Sequence, residues 1–163
     1  MIKIYTDGSA RNNGKQNSTG GFGVVAFKDN DIIYYYKEQC KNTTNNREEL
    51  KAILHAFELA KKCYPYESCV VYSDSSYCTN ICNNWIYTWA RNNWINSKKK
   101  QVENIDLVKS LYNYITIDFF NCQVVWNRGH DNIVGNELAD ALATDNNAKF
   151  NKIIKDNGIK FDL

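Results

Sequence analysis

The sequence predicts an α/β fold, a mixed five-stranded sheet flanked by helices in the order βββαβαβα. Three observations lead there. At 163 residues the chain holds one domain with a real core and is too short for two. Its early part contains three β-favouring runs separated by turn-rich segments and no helical pattern. After that, stretches of helical periodicity alternate with short apolar runs, as when parallel strands are joined by helical crossovers.

The elements follow in order. Ile2 to Asp7 alternates as a strand and stops at Gly8-Ser9, and Asn12-Asn13-Gly14 through Gly20-Gly21 reads as a turn-rich loop. Phe22 to Phe27 and Ile32 to Glu38 are two more strands, joined by the turn Lys28-Asp29-Asn30-Asp31. Asn45 or Asn46 can cap a first helix, in which Leu50, Ile53, Leu54, Phe57 and Ala60 recur at helical spacing up to Lys62. The single proline, Pro65, closes that pattern. Cys69 to Tyr72 is a short apolar strand ending at Ser73-Asp74. Helical segments run from about Ser76 to Arg91 and from Glu103 to Ile115. Cys122 to Trp126 is the fifth strand, and Gly135 to Thr144 a helix with Leu138, Ala139 and Leu142 inward. Residues 148–163 read as a weak helix and a tail beyond a main domain of residues 1–147.

Composition narrows the class. With 44% hydrophobic and 23% charged residues the chain falls among folded globular proteins, not disordered ones. A net charge of +2 is too near balance to argue for nucleic acid, so any basic footprint must be local. None of the six cysteines (Cys40, Cys63, Cys69, Cys78, Cys82, Cys122) pairs in C-x-x-C spacing, and Cys78 and Cys82 have no His nearby. Met1-Ile2-Lys3-Ile4-Tyr5 opens as a strand, and no apolar run is long enough for a signal peptide or a membrane span. The expectation is a reduced, cytoplasmic protein with free thiols. It is also expected to be a monomer, because no apolar stripe is left over for a partner.

Three acids stand where a sheet can gather them. Asp7 interrupts the apolar first strand, Asp74 lies at the carboxyl end of the fourth, where α/β sheets place ligands, and Asp140 sits in the helix of residues 135–144. The first helix offers Glu48 and Glu49. At 100° per residue, Glu49 flanks the apolar stripe, at roughly 70° from its centre, whereas Glu48 is nearly opposite and should face water. Crowded carboxylates stay ionised together only if cations neutralise them. Oxygen-only ligation favours Mg²⁺ or Mn²⁺, and two such ions can activate a water and stabilise the leaving oxygen of a phosphodiester.

In this order and spacing the motifs resemble ribonuclease H of type 1. The matching stretches are Tyr5-Thr6-Asp7-Gly8-Ser9, Thr43-Thr44-Asn45-Asn46-Arg47-Glu48-Glu49-Leu50 and Tyr72-Ser73-Asp74-Ser75. Arg128-Gly129-His130 follows, with Gly135-Asn136-Glu137-Leu138-Ala139-Asp140 completing the set. The resemblance implies a ribonuclease H-like fold and an endonuclease that hydrolyses the RNA strand of RNA–DNA hybrids, leaving 5′-phosphate and 3′-hydroxyl ends. It implies two Mg²⁺ ions, with Mn²⁺ as a substitute, on Asp7, Glu49, Asp74 and Asp140, and a loop histidine, His130, that assists proton transfer or product departure. His55, on the far side of the first helix, is expected to be a packing or surface residue.

The same resemblance places Asn13 and Asn45 against RNA 2′-hydroxyls and Thr44 and Asn45 against a DNA phosphate. Tyr77 and Trp85 would line the DNA-strand channel, and Asn136 joins the substrate contacts. Trp85, Trp89, Trp94, Arg91 and Lys98-Lys99-Lys100 match the family's helical handle with a basic tip, about residues 85–102. Ser76 stands where the family often has a longer side chain, and the Lys15–Thr19 loop lacks the family's proline-glycine shape. Two rivals share the acid cluster. A DNA nuclease or resolvase of the same fold would not need Thr44, Asn45 and His130 in these contexts, and a non-catalytic domain accessory to a reverse transcriptase would usually have lost an acid.

Overall fold

In a computed structural model of the chain, residues 1–13, 15–117, 120–129 and 131–163 are described. One sheet runs in the order β3-β2-β1-β4-β5. Its strands are β1 (Ile2–Arg11), β2 (Thr19–Lys28), β3 (Asp31–Lys41), β4 (Cys69–Ser73) and β5 (Cys122–Trp126). β1–β2 and β2–β3 are antiparallel, whereas β1–β4 and β4–β5 are parallel. This is the mixed sheet expected. The first three strands outrun their predicted ends, because Ser9 and Ala10 pair with Gly21 and Gly20. A ladder is made by backbone groups, so glycines that read as a turn can continue it.

The helices are α1 (Asn45–Cys63), α2 (Ser76–Asn80), α3 (Ile86–Arg91), α4 (Ile105–Ile115), α5 (Val134–Ala143) and α6 (Asn147–Asp156). A π-helical turn, Ile81–Trp85, joins α2 to α3, so the predicted 76–91 segment is one rod with a π turn inside it. The cap of α1 is Thr44, whose Oγ1 accepts from Arg47 N at 3.1 Å, not Asn45 or Asn46. The sheet is covered on both faces. One core contains Ile4, Val71, Ile53, Phe57, Val108 and Leu111, and the other Val25, Leu138, Leu142, Phe150 and Ile153.

Residues 148–163 are more ordered than a weak helix and tail. Phe150 and Ile153 of α6 are buried, and the tail runs beside β3, with Ile32 N donating to Lys160 O at 2.9 Å and Asp162 N to Ile32 O at 2.8 Å. Tail and β3 thereby satisfy backbone groups that an edge strand would otherwise leave to solvent.

Glu48 corrects the helical-phase reading. It is fully buried rather than facing water. The apolar wheel locates the side of α1 that meets the sheet, but the first turn of the helix is also covered by the segment that ends β3. Thr43 Oγ1 donates to Glu48 Oε2 at 2.7 Å, and Lys51 Nζ donates to both carboxylate oxygens at 3.2 and 3.1 Å.

Candidate active site

Asp7 lies inside β1, and two glycines let helices approach it. A Cβ on Gly8 would collide with the backbone of Glu48 and Glu49. Without one, the first turn of α1 rests directly on β1 and brings Glu49 beside Asp7. Gly23 pairs with Asp7 across the β1–β2 ladder, and a Cβ there would collide with Ala139 O. Its absence lets α5 lie close on β2, which brings the neighbouring Asp140 into electrostatic reach of Asp7. Asp74 comes immediately after Ser73, the β4 residue that pairs with Thr6 of β1. Parallel pairing thus sets the two aspartates side by side at the carboxyl end of β4.

One carboxylate oxygen from each of Asp7, Glu49 and Asp74 lies within 4.8 Å of the others. Asp7 and Glu49 are 6% and 7% exposed. Burial raises the Asp7 carboxyl above its ordinary value. A hydrogen bond with Glu49 works the other way, and the charges of Asp74 and Asp140 raise it further. Glu49 is held well above its ordinary value, first by burial and then by the charge of Asp7. Glu49 Oε2 is buried without a hydrogen-bond partner among the described residues. An acceptor stripped of water and left unmatched is costly. A cation would relieve both the orphaned oxygen and the crowded charge, and an all-carboxylate donor set suits a hard divalent ion. The residues therefore fit a divalent metal site. Asp140 stands at the rim of this cluster, where its Oδ2 accepts from Lys149 Nζ of α6 at 2.6 Å.

The proposed substrate contacts fall into two groups. Asn13, Thr44 and Asn45 are tied together beside the acids. Asn45 N donates to Asn13 Oδ1 and Ala10 N to Asn45 Oδ1, each at 2.6 Å. Arg47, a turn into α1, makes a two-pronged pair with Asp106 at 3.1 and 2.7 Å that fixes α1 against α4. The second group lines a groove of about 830 Å³ containing Tyr77, Trp85, Trp89, Lys98 and Lys100. Tyr77 and Trp85 meet edge-on at 5.5 Å and are 38% and 39% exposed, so Trp85 is not a core residue. Lys99 belongs to the same basic tip, which Asn96 holds through its Oδ1 to Lys98 N and Lys100 N. The handle is anchored by Trp94 against Tyr112 of α4 at 5.4 Å. Asn136, one turn before Asp140, is buried.

His130 lies outside the described residues. His55 has the packing role expected of it: its ring stacks on Tyr36 at 4.3 Å and bonds Tyr34 Oη at 2.7 Å. All six cysteines are free. Two neighbours of the acids have no signal in the sequence. Lys149 lies in a segment that reads as a tail, and Trp126, which reads as the end of a strand, donates from Nε1 to Asp74 O at 3.1 Å. A cation at the start of a terminal helix can be suspected only by knowing that α6 packs back on α5.

Compared with known proteins, the chain matches the RNase H family over residues 1–148. It is 40% identical over 159 residues to the Ribonuclease H of Orientia tsutsugamushi (strain Boryong), covering 96% of this chain and 88% of that relative. Among solved structures it resembles LC9-RNase H1, a type 1 RNase H with the type 2 active-site motif. There the TM-score is 0.75 at 26% identity, over 88% of this chain and 70% of that one. It also resembles the foamy viral protease-reverse transcriptase in complex with RNA/DNA hybrid. That TM-score is 0.79 at 23% identity, a likeness of fold alone, over 89% of this chain and 20% of the viral one. The fold and the acid cluster thus define a nuclease of the RNase H class. The chain belongs to the RNase H family, and it is an endonuclease acting on RNA in RNA–DNA hybrids. No helix among the described residues is long and apolar enough to cross a membrane.

Proposed function

We propose that Asp7, Glu49, Asp74 and Asp140 hold two divalent ions, Mg²⁺ with Mn²⁺ able to substitute, and that the RNA strand is cut there to leave 5′-phosphate and 3′-hydroxyl ends. The observation that carries this reading is Oε2 of Glu49, without a partner among the described residues, inside a carboxylate cluster in which Asp7 and Glu49 are buried and Asp74 is partly so. When bound, such ions lower the pKa of the attacking water and stabilise the leaving oxygen. The residues themselves do the rest. The four carboxylates fix the charge and its place, and burial of Asp7 and Glu49 keeps competing water away. His130 carries a proton or helps the product leave. Asn13 and Asn45 sense 2′-hydroxyls, Thr44 and Asn45 hold a DNA phosphate, and Asn136 supports the substrate beside Asp140. Tyr77 and Trp85 line the path of the DNA strand, and Lys98, Lys99 and Lys100 meet its phosphates. The domain of residues 1–147 does this as a cytoplasmic monomer, with residues 148–163 completing one face of the sheet.

A non-catalytic domain accessory to a reverse transcriptase is disfavoured because all four acidic positions are filled. The test is cleavage of a labelled hybrid in EDTA and after addition of Mg²⁺ or Mn²⁺. Activity should vanish in chelator and return with either ion. Undiminished cutting in chelator would overturn the two-metal reading.

A further inference from the structure

Outside the acid cluster, the most deeply buried charge among the described residues is Glu48, and nothing in the proposed reaction uses it. A buried carboxylate destabilises unless it is fully paired, and an apolar residue of similar volume there would often cost nothing. Glu48 is fully paired, and its partners point in one direction. Two oxygens take the ammonium of Lys51, itself held at 3.6 Å from Cys40 Sγ and 3.8 Å from Glu38 Oε2 of β3. One of them also accepts from Thr43 Oγ1 at 2.7 Å.

Thr43 is gripped from the other side as well. Its N–H donates to Ser18 Oγ at 2.8 Å, and Ser18 Oγ donates to its carbonyl at 3.0 Å. Ser18, Thr43 and Glu48 are 0%, 4% and 0% exposed. The next two residues are Thr44 and Asn45, and Asn45 is bonded to Asn13 and Ala10. A buried polar clamp therefore holds the backbone directly before the loop that faces the substrate. We infer that Glu48, together with Lys51, is a positioning residue: it clamps Thr43 so that Thr44 and Asn45 are set to receive the hybrid. This rests on the proposed role of Thr44 and Asn45 as substrate contacts.

The test separates positioning from mere support of the fold. In the double variant Glu48→Met/Lys51→Met the ion pair is replaced by packing of similar volume, so the melting temperature should stay close to wild type. Thr43 loses its acceptor, and a hydrogen bond to a charged group is worth on the order of tenfold in equilibrium terms. KM for the hybrid should therefore rise by about tenfold, while kcat and Mg²⁺ affinity measured by calorimetry stay within about twofold, below the smallest change a lost hydrogen bond usually makes. Thr43→Val should raise KM similarly in the wild-type background and add nothing in the double variant. Glu48→Gln keeps an acceptor for Thr43 and should restore KM.

An unchanged KM in the folded double variant, or a loss that appears in kcat or Mg²⁺ affinity instead, overturns the inference. Should the double variant fail to fold, Thr43→Val alone decides, and a wild-type KM overturns it. Thr44→Val distinguishes the two levels. KM unmoved by Thr44→Val sinks the loop as a hybrid contact, and this inference with it. KM moved by Thr44→Val but not by the clamp variants sinks this inference alone.

Discussion

Glu48 and Glu49 are neighbours in sequence and both are buried, yet their partners separate them. Glu49 faces Asp7 with one oxygen unmatched among the described residues, whereas Glu48 is saturated by Thr43 and Lys51. Glu49→Gln should abolish turnover. Glu48→Gln should keep turnover at saturating hybrid but lower the melting temperature, by a few degrees for about 1 kcal/mol lost. Equal loss of turnover in both would contradict this division. The acids also make stability depend on pH. The folded values of Asp7 and Glu49 are raised above those of the unfolded chain. Their contribution is complete below the unfolded carboxylate range and is lost as pH rises through the folded values, at about 1.4 kcal/mol for each pH unit separating the two. Melting in EDTA should therefore fall from about pH 4 towards pH 8, Asp7→Asn should flatten the fall, and Mg²⁺ should stabilise most at the alkaline end. A metal-free melting temperature that climbs over that range would rule the charge crowding out. His130→Ala should slow turnover by ~10²-fold with metal binding intact, and a rate within about twofold of wild type, far below the usual contribution of general acid–base catalysis, would make it a bystander. Glu49 is legible in the sequence because helical phase sets it at the edge of the apolar stripe. Glu48 is not, since Thr43, which bonds its carboxylate, lies outside the helix, and a wheel drawn on one helix contains no information about the segment that precedes it.

Strands and helices with a clear period are legible in the sequence, and the departures sit where backbone bonding or tertiary packing decides. The β1–β2 ladder runs through glycines that look like a turn, and α6 is stabilised by Phe150 and Ile153 against the sheet, not by helix propensity. The handle is a case of composition that shows without its geometry. Three lysines and a run of tryptophans suggest a basic tip. Only the structure shows Asn96 holding the turn and Trp94 anchored on Tyr112, with Trp85 left exposed in the groove. Replacing Lys98, Lys99 and Lys100 with Ala should weaken hybrid binding and flatten its salt dependence, by at most ~0.9 in slope for each phosphate no longer neutralised. Turnover at saturating substrate should change little. A binding slope identical to wild type would mean that the lysines are only solvated.

At the scale of the whole molecule, the sheet collects acids from β1, α1, α5 and the end of β4 at one place, and the proposed substrate contacts form two separate groups. Asn13, Thr44 and Asn45 sit beside the acids on α1's side, and Tyr77, Trp85, Lys98 and Lys100 line a separate groove. A protein tells RNA from DNA at a given position through the 2′-hydroxyl and the helical shape it imposes. Under the proposed reading, Asn13 and Asn45 beside Glu49 should sense several consecutive hydroxyls together, and the groove should require a deoxyribose strand able to bend its phosphates inward. The most direct measurement is cleavage of four labelled duplexes at equal concentration in Mg²⁺: RNA–DNA hybrid, RNA–RNA, DNA–DNA, and DNA carrying one ribonucleotide. Only the hybrid should be cut efficiently, within its RNA strand. Duplex DNA should resist for want of hydroxyls, duplex RNA because its second strand cannot take the bend, and the single ribonucleotide because it offers one hydroxyl to a site that reads several. Efficient cutting at the single ribonucleotide, or of either homoduplex, would contradict a site that reads a run of ribonucleotides against DNA.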